Sequence, residues 1–401
     1  MYESLAIMGA FVFFYSLVAG GLERTPVSGA IVFTAFGLVL GPLGLGLLQL
    51  DIDTEGLRSL AELTLALVLF TDASNANLEV LKKNIRLPPR LLLIGLPLTI
   101  VLGFAVGVLL LGNLTLFEVA ILAIMLAPTD AALGKAVVTD ESVPANIREG
   151  LNVESGLNDG ICVPILFVFL ALSAAAAGQG GAEVNTLMLV IEQIGIGAGV
   201  GLGLTLIGTR MIQQADARGW ITKTWHQLLV PALAVSCFAL AQILGGSGFI
   251  AAFAGGLLFG ALAKEHKAKF LLAAEGTGDT LALITWVVFG AAVVGHSIGA
   301  LSWPVVLYAV LSLTVVRMLP VFLALMGMNL RSEEKLFMGW FGPRGLASIV
   351  FAVIVLNAKL PGGETIVMTV ACTILLSIIL HGLSAHPLVA ALAARTKGTE
   401  A

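Results

Sequence analysis

Charge is what this sequence has least of. Asp, Glu, Lys and Arg make up 11% of its 401 residues, where a soluble domain carries about 25%. With 58% hydrophobic residues and a mean hydropathy of +1.02, a string of soluble domains is excluded. Cysteine is almost as scarce: Cys162, Cys237 and Cys372 sit singly in apolar runs, without metal or redox spacing. They read as buried small hydrophobes. The start, MYESLAIMGAFVFFYSLVAG, lacks the basic leader of a signal peptide and reads as a retained first span. Spans of about ten alternating residues, the mark of a β-barrel, are missing. So is any nucleotide domain, which argues against ATP-driven pumping. His226, His266, His296, His381 and His386 make no ligand spacing, and His266, within KEHKAK, reads as a solvated loop residue. The glycine run GIGAGVGLG at 195–203 follows no strand, so no nucleotide is expected there. Gly195, Gly199 and Gly203, four apart, are instead expected to form a small-residue face for close helix packing. The net charge of −4 says little about partners, and no nucleic-acid footprint is present.

What the chain has in abundance is apolar runs of about twenty residues, each long enough to cross a hydrocarbon core of about 30 Å as a helix. They predict an all-α polytopic membrane protein of about thirteen spans. The stretches are 5–22, 28–48, 58–73, 90–112, 117–138, 147–177, 187–210, 226–244, 247–264, 272–297, 302–326, 335–357 and 364–392. Basic residues alternate between loops. Arg24, Lys82, Lys83, Arg86, Arg90, Arg148, Arg210, Arg218, Lys223, Lys264, Lys267, Lys269, Arg331, Lys335, Arg395 and Lys397 fall on one side, and only Arg58 and Lys359 on the other. The positive-inside rule then places the N-terminus outside and the C-terminus in the cytoplasm.

Lys135, Arg317 and Arg344 fall inside predicted spans, and Asp72, Asp130, Glu154 and Asp159 lie at or near the ends of apolar stretches. Ionisable residues at such depth face a protein interior or a water cavity, and by default mark an ion or proton path. Two spans are also broken. The fifth, ILAIMLAPTDAALGKAVV, carries Pro128 followed by Thr129 and Asp130; the twelfth, KLFMGWFGPRGLASIVFAVIV, carries Gly342-Pro343-Arg344-Gly345. If span seven is a linker, residues 1–186 and 226–401 form two six-span halves joined by 187–225, and the broken helices are the fifth of each. An odd number of spans between them makes the halves inverted, the arrangement in which discontinuous helices build a transport site.

The stretch NVESGLNDG, at 152–160, enters the sixth span. At 100° per residue Glu154 and Asn158 share one stripe, with Ser155 and Asp159 on the next. Two carboxylates, a hydroxyl and an amide suit a hard cation. A carboxylate taken out of water also binds a proton more readily, so one group is able to hold either. Asp159 lies about 18 Å of helix rise beyond Ile147, too deep for the solvated helix end that suits Asp140 and Glu141.

FTDAS at 70–74, APTD at 127–130, ESGLNDG at 154–160, WVVFG at 286–290, VVRMLPVF at 315–322 and GPRGLASIVFA at 342–352 together resemble the cation:proton antiporter superfamily, in its NhaP/NHE-like sodium/proton branch. The resemblance covers essentially the whole chain. It implies an inverted-repeat fold, a homodimer, and a core domain that moves against a dimerisation domain. It further implies that Asp159 binds the monovalent cation and the proton in turn, with Asn158 as its partner. Thr129 and Asp130 would be the unwound-helix pair, Ser155 a further ligand, and Asp72 an additional acidic ligand. Glu154 and Arg344 would form a structural ion pair, while Arg317 is left between an electrostatic anchor of the core and a packing role. Many members place proline after the span-five aspartate, whereas Ala131 stands here.

The function expected is antiport of a monovalent cation, Na+ before Li+ or K+, against H+ across a cell membrane. No cofactor, nucleotide or nucleic acid is called for, and lipid and a second copy of the chain are the partners. K+/H+ antiport and a non-transporting ion sensor are the alternatives. A channel lacks its ring of donors, and an enzyme its nucleophile and base.

Overall fold

The computed structural model describes residues 2–22, 25, 27–48, 55–76, 87–130, 132–176, 183–263, 267–294 and 301–400. Arg24, Lys82, Lys83, Arg86, Ala131, Lys264, His266 and His296 lie outside the described residues, as do the side chains of Lys135, Lys267, Lys269 and Lys397.

Helices occupy every stretch read as a span, and the described residues contain no strand. They are α1 Tyr2–Leu22, α2 Gly29–Leu40, α3 Glu55–Asn75, α4 Leu87–Leu110, α5 Leu116–Met125, α6 Lys135–Val138, α7 Ala145–Ala176 and α8 Glu183–Ala217. The second half supplies α9 Lys223–Ile243, α10 Gly248–Ala263, α11 Lys267–Val288, α12 Trp303–Leu313, α13 Val315–Ala324, α14 Ser332–Trp340, α15 Leu346–Asn357 and α16 Gly363–Glu400. Among them, eight segments are long and apolar enough to cross a membrane alone, so the protein is a multi-pass membrane protein. The fifth and twelfth stretches are indeed each split, into α5 with α6 and α14 with α15. Short runs of wider helix at Leu91–Gly95 and Phe289–Val294 bend two others.

Small residues bring the helices together, as expected where lipid provides no hydrophobic drive between them. The glycines that do this on α8 are not the expected ones. Nothing lies within 4 Å of where a Cβ would stand at Gly195, Gly199 or Gly203, whereas at Gly197 and Gly201 it would sit 2.5 Å from the Ser247 carbonyl oxygen and 2.2 Å from that of Ala251. Two residues along a helix is 200° around it, so the four-residue spacing was right and the face was opposite. On α10, a Cβ added at Gly256 or Gly260 would likewise stand 2.3 Å from the carbonyl oxygen of Phe70 or of Ser74 on α3. Cys162, Cys237 and Cys372 are buried and unpaired.

Gly201→Leu should therefore overpack the α8–α10 seam and cost about 1–3 kcal/mol. A lowered melting temperature in detergent checks this; Gly199→Leu should lower it far less.

Candidate functional site

Two helix breaks meet at the centre of the molecule, and their backbone groups have no ladder to join. Several find partners across the crossing. The Asp130 N–H donates to the Pro343 carbonyl at 2.8 Å. The Asp130 carboxylate accepts from the Ala132 and Leu133 N–H groups, at 2.9 and 3.4 Å, at the start of the turn leading to α6. Its other oxygen accepts from the Leu346 N–H at 2.9 Å, at the first residue of α15. One carboxylate thus caps the N-terminal end of α15, where backbone dipoles favour negative charge, and holds the turn that leads to α6. Arg344 does the converse: its Nη1 donates to the carbonyls of Ala127 and Pro128, both at 3.0 Å, just beyond the C-terminal end of α5. Ser348 Oγ donates to the Met125 carbonyl at 2.7 Å. At Gly345 a Cβ would stand 1.9 Å from the Asp130 carboxylate, so only glycine lets the two strands cross this closely.

Against this crossing lies α7. Ser155 Oγ donates to the Thr129 carbonyl at 2.6 Å, and Asn158 Nδ2 donates to Thr129 Oγ1 at 2.8 Å. Asn158 is fully buried and its Oδ1 has no partner. Asp159 is 8% exposed, and among the described residues no hydrogen-bond donor engages its carboxylate. The carboxylates of Asp130 and Asp72 lie within its electrostatic reach, as does Arg344. Asp72, half-buried on α3, sits close to Gly156, where an added Cβ would be 3.1 Å from its carbonyl. A small pocket lined by Thr129, Asp130, Leu151, Ser155, Phe341 and Pro343 reaches the group from the end where α7 begins. An unpartnered amide oxygen, a hydroxyl, a carbonyl and a bare carboxylate form the donor set that a partly dehydrated cation needs. Of the residues named for the cation, Thr129, Ser155 and Asn158 are joined by hydrogen bonds, Asp130 follows Thr129 in the same break, and Asp159 follows Asn158 on α7.

The expected ion pair is corrected. Glu154 does not pair with Arg344; it binds Arg317 of α13 through two parallel bonds, Nη1 to Oε1 at 2.6 Å and Nη2 to Oε2 at 2.8 Å, with both side chains 1% exposed. Arg344 is instead held by the α5 carbonyls, which leaves Arg317 as the guanidinium that reaches α7. Two acids that the sequence reading passed over also belong near the site. Glu275 accepts from Asn75 Nδ2 at 2.5 Å, and it and Asp279 lie within electrostatic reach of Asp72. Two acids four apart inside an apolar span were the available signal. By contrast, Asp140 lies in the turn ahead of α7, and hydrogen bonds from Ser142 hold its carboxyl below the usual range. It is an ordinary loop acid.

Removing one partner of a buried pair strands the other charge at a cost of roughly 3–5 kcal/mol. Glu154→Gln and Arg317→Leu should each lower thermal stability by that order, and a double-mutant cycle between them should show strong coupling. The same cycle between Glu154 and Arg344 should be close to additive.

With this geometry in hand, comparison with known proteins is direct. A family model described as sodium/hydrogen exchanger, transmembrane, matches residues 9–391. Among solved structures, the chain is similar to that of the sodium proton antiporter MjNhaP1 from Methanocaldococcus jannaschii at pH 8, at 24% identity and a TM-score of 0.79, covering 98% of this chain and 99% of that one. It is similar also to the structure of the same antiporter from an electron-microscopy map, at 24% identity and a TM-score of 0.75, covering 98% of each chain. The fold is thus the NhaP antiporter fold, and the chain belongs to the sodium/hydrogen exchanger family.

Proposed function

We propose that this protein is a secondary active antiporter that exchanges a monovalent cation, Na+ in the first place, for H+, with Asp159 carrying each in turn. The observation that supports this most is the state of Asp159. It is a nine-tenths buried residue whose carboxylate has no hydrogen-bond donor among the described residues, next to the orphaned amide oxygen of Asn158 and within electrostatic reach of two further acids. A structural acid at such depth would be paired, as Glu154 is; an unpaired one is poised for a mobile positive charge.

Transport then follows from competition for one group. With Asp159 ionised, a cation sits against its carboxylate and takes further oxygens from Asn158, Ser155 and Thr129. A proton arriving at Asp159 removes the charge that held the cation, which leaves. Asp130 serves as a fixed cap at the crossing, its oxygens committed to three backbone N–H groups. Asp72 stands at the edge of the site as an additional acidic ligand. The pocket approaches from the α7 start, the side that the basic residues assign to the cytoplasm. Residues 1–186 and 226–401 act as the inverted halves, joined by 187–225, in a homodimer of the cell membrane with its N-terminus outside. Access alternates as a core domain moves against the dimerisation domain.

Asp159→Asn should fold and insert yet lose cation-driven proton movement in proteoliposomes. Na+, Li+ and K+ offered in turn against an imposed pH gradient rank the cations, and undiminished exchange by the variant would sink the proposal. Because Asn158 beside the carrier is neutral, one cation should exchange for one proton. The rate should then be insensitive to a clamped membrane potential; steady Na+-driven uptake of a lipophilic potential probe would point to a second titrating carrier, for which Asp72 is the candidate.

A further inference from the structure

Ser377, His381 and Ser384 fall at positions i, i+4 and i+7 of α16, along one stripe of a helix that is apolar around them. Polar side chains on membrane helices serve to bond neighbouring helices, and here all three bond one segment. Arg344 N–H donates to Ser377 Oγ at 2.7 Å. His381 Nε2 lies 2.9 Å from the Trp340 carbonyl, and the indole N–H of Trp340 donates to Ser384 Oγ at 2.8 Å. A carbonyl only accepts, so Nε2 carries the hydrogen. Nδ1 then accepts from the Ser377 hydroxyl, 3.2 Å away, or with a second proton donates to the Ser377 carbonyl at 2.9 Å. The bond to Trp340 survives in either state. His381 and Ser377 are almost fully buried, so water does not replace these bonds.

Trp340 is the last residue of α14, and Arg344 lies two residues before α15. Ser377 and His381 therefore grip both ends of the unwound segment and fix their separation on a continuous helix, while Ser384 holds only the indole of Trp340. What lies between and beside those ends touches the other break. The Pro343 carbonyl holds the Asp130 N–H, and the Arg344 guanidinium holds the carbonyls of Ala127 and Pro128. Thr129 follows directly, and its two oxygens bond Ser155 and Asn158. Hydrogen bonds thus run unbroken from α16 through residues 340–344 and 127–130 to the cation ligands. At the crossing Asp130 thus serves the N-terminal end of α15, Arg344 the C-terminal end of α5, and His381, together with the Gly342 N–H, the last carbonyl of α14.

We propose that His381 is a positioning residue for the cation site, acting with Ser377 through the unwound segment 340–344. This rests on the reading above that Asp159, Asn158, Ser155 and Thr129 hold the cation. The test is Na+/H+ exchange in proteoliposomes, with the KM for Na+ and the maximal rate measured separately. Loss of this buried hydrogen bond in His381→Leu should raise KM roughly tenfold, with a smaller fall in maximal rate. His381→Gln, whose amide nitrogen takes the place of Nε2, should restore a KM close to that of the unaltered protein. Ser384→Ala, which releases only the indole of Trp340, should leave KM unchanged. The proposal is overturned if His381→Leu keeps its KM, if His381→Gln is as impaired as His381→Leu, or if Ser384→Ala raises KM equally. Should His381→Leu fail to fold, Ser377→Ala decides: a raised KM supports the clamp and an unchanged one overturns it. Asp159→Asn is measured alongside. Normal exchange by that variant removes the site reading itself, whereas its inactivity with His381→Leu unimpaired removes the clamp alone.

Discussion

A backbone N–H or C=O without a partner in hydrocarbon costs several kcal/mol, and this fold leaves two helices unwound at its centre. Everything nearby answers that constraint. Residues 125–130 and 340–346 contribute carbonyls and N–H groups that would be orphaned in any isolated helix. Several cross to the other break or meet a side chain of matching character: Asp130 at the N-terminal end of α15, Arg344 and Ser348 at the C-terminal end of α5. Neither break is satisfied alone. The two unwound segments are stable only as a pair, which explains why the crossing is so tight that Gly345 admits no side chain.

That arrangement also sorts the charges. Asp130 and Arg344 are bound to the backbone, and Glu154 is neutralised by Arg317 in a two-bond contact sealed from water. A buried pair of this kind contributes little net stability against an apolar substitute, but it is costly to break. It therefore fixes α7 against α13 while leaving no net charge between them. Five residues further along α7, Asp159 has no such partner among the described residues. The same helix thus presents one acid that is electrically silent and one that is not. Fixed charges hold the scaffold, and the Asp159 carboxylate is left out of it.

Much of this was written in the chain. Pro128 and the Gly342-Pro343-Arg344-Gly345 run mark the breaks because proline and glycine cannot sustain a helix, whatever packs around them. The polar face of NVESGLNDG follows from helical periodicity. What could not be read is rotation and partnership between helices. Arg317 and Arg344 are both intramembrane cations, and nothing in their spacing says which one turns toward Glu154. The glycines of α8 show the same limit: a four-residue repeat exists in two registers, 195/199/203 and 197/201, and only the neighbouring helix selects between them. His381 has no metal-ligand spacing, and its four-residue spacing with Ser377 instead marks a face that bonds the backbone of a neighbouring segment.

The two sides of the crossing are unequal, and the inequality bears on how a site of this kind changes access. At the Leu116 end, Thr115 and Glu118 form a reciprocal cap, and Glu118 also accepts from the Gly362 N–H at 2.6 Å, which ties the start of α5 to the turn before α16. Asn113 bonds Thr365 across the same seam. At the other end the inner half-helix α6 spans only four residues, and the pocket beside it reaches Thr129 and Ser155. Yet the bonds that join α5, α15 and α16 are buried and directional, so they resist being broken one by one. Opening the Leu116 side is therefore expected to carry the crossing with its clamp as one body past α3, α10 and α11, rather than to unzip it. Glycine contacts such as that of Gly156 on α7, where a Cβ would stand 3.1 Å from the Asp72 carbonyl oxygen of α3, suit that role, because smooth backbone surfaces slide where interlocked side chains would not.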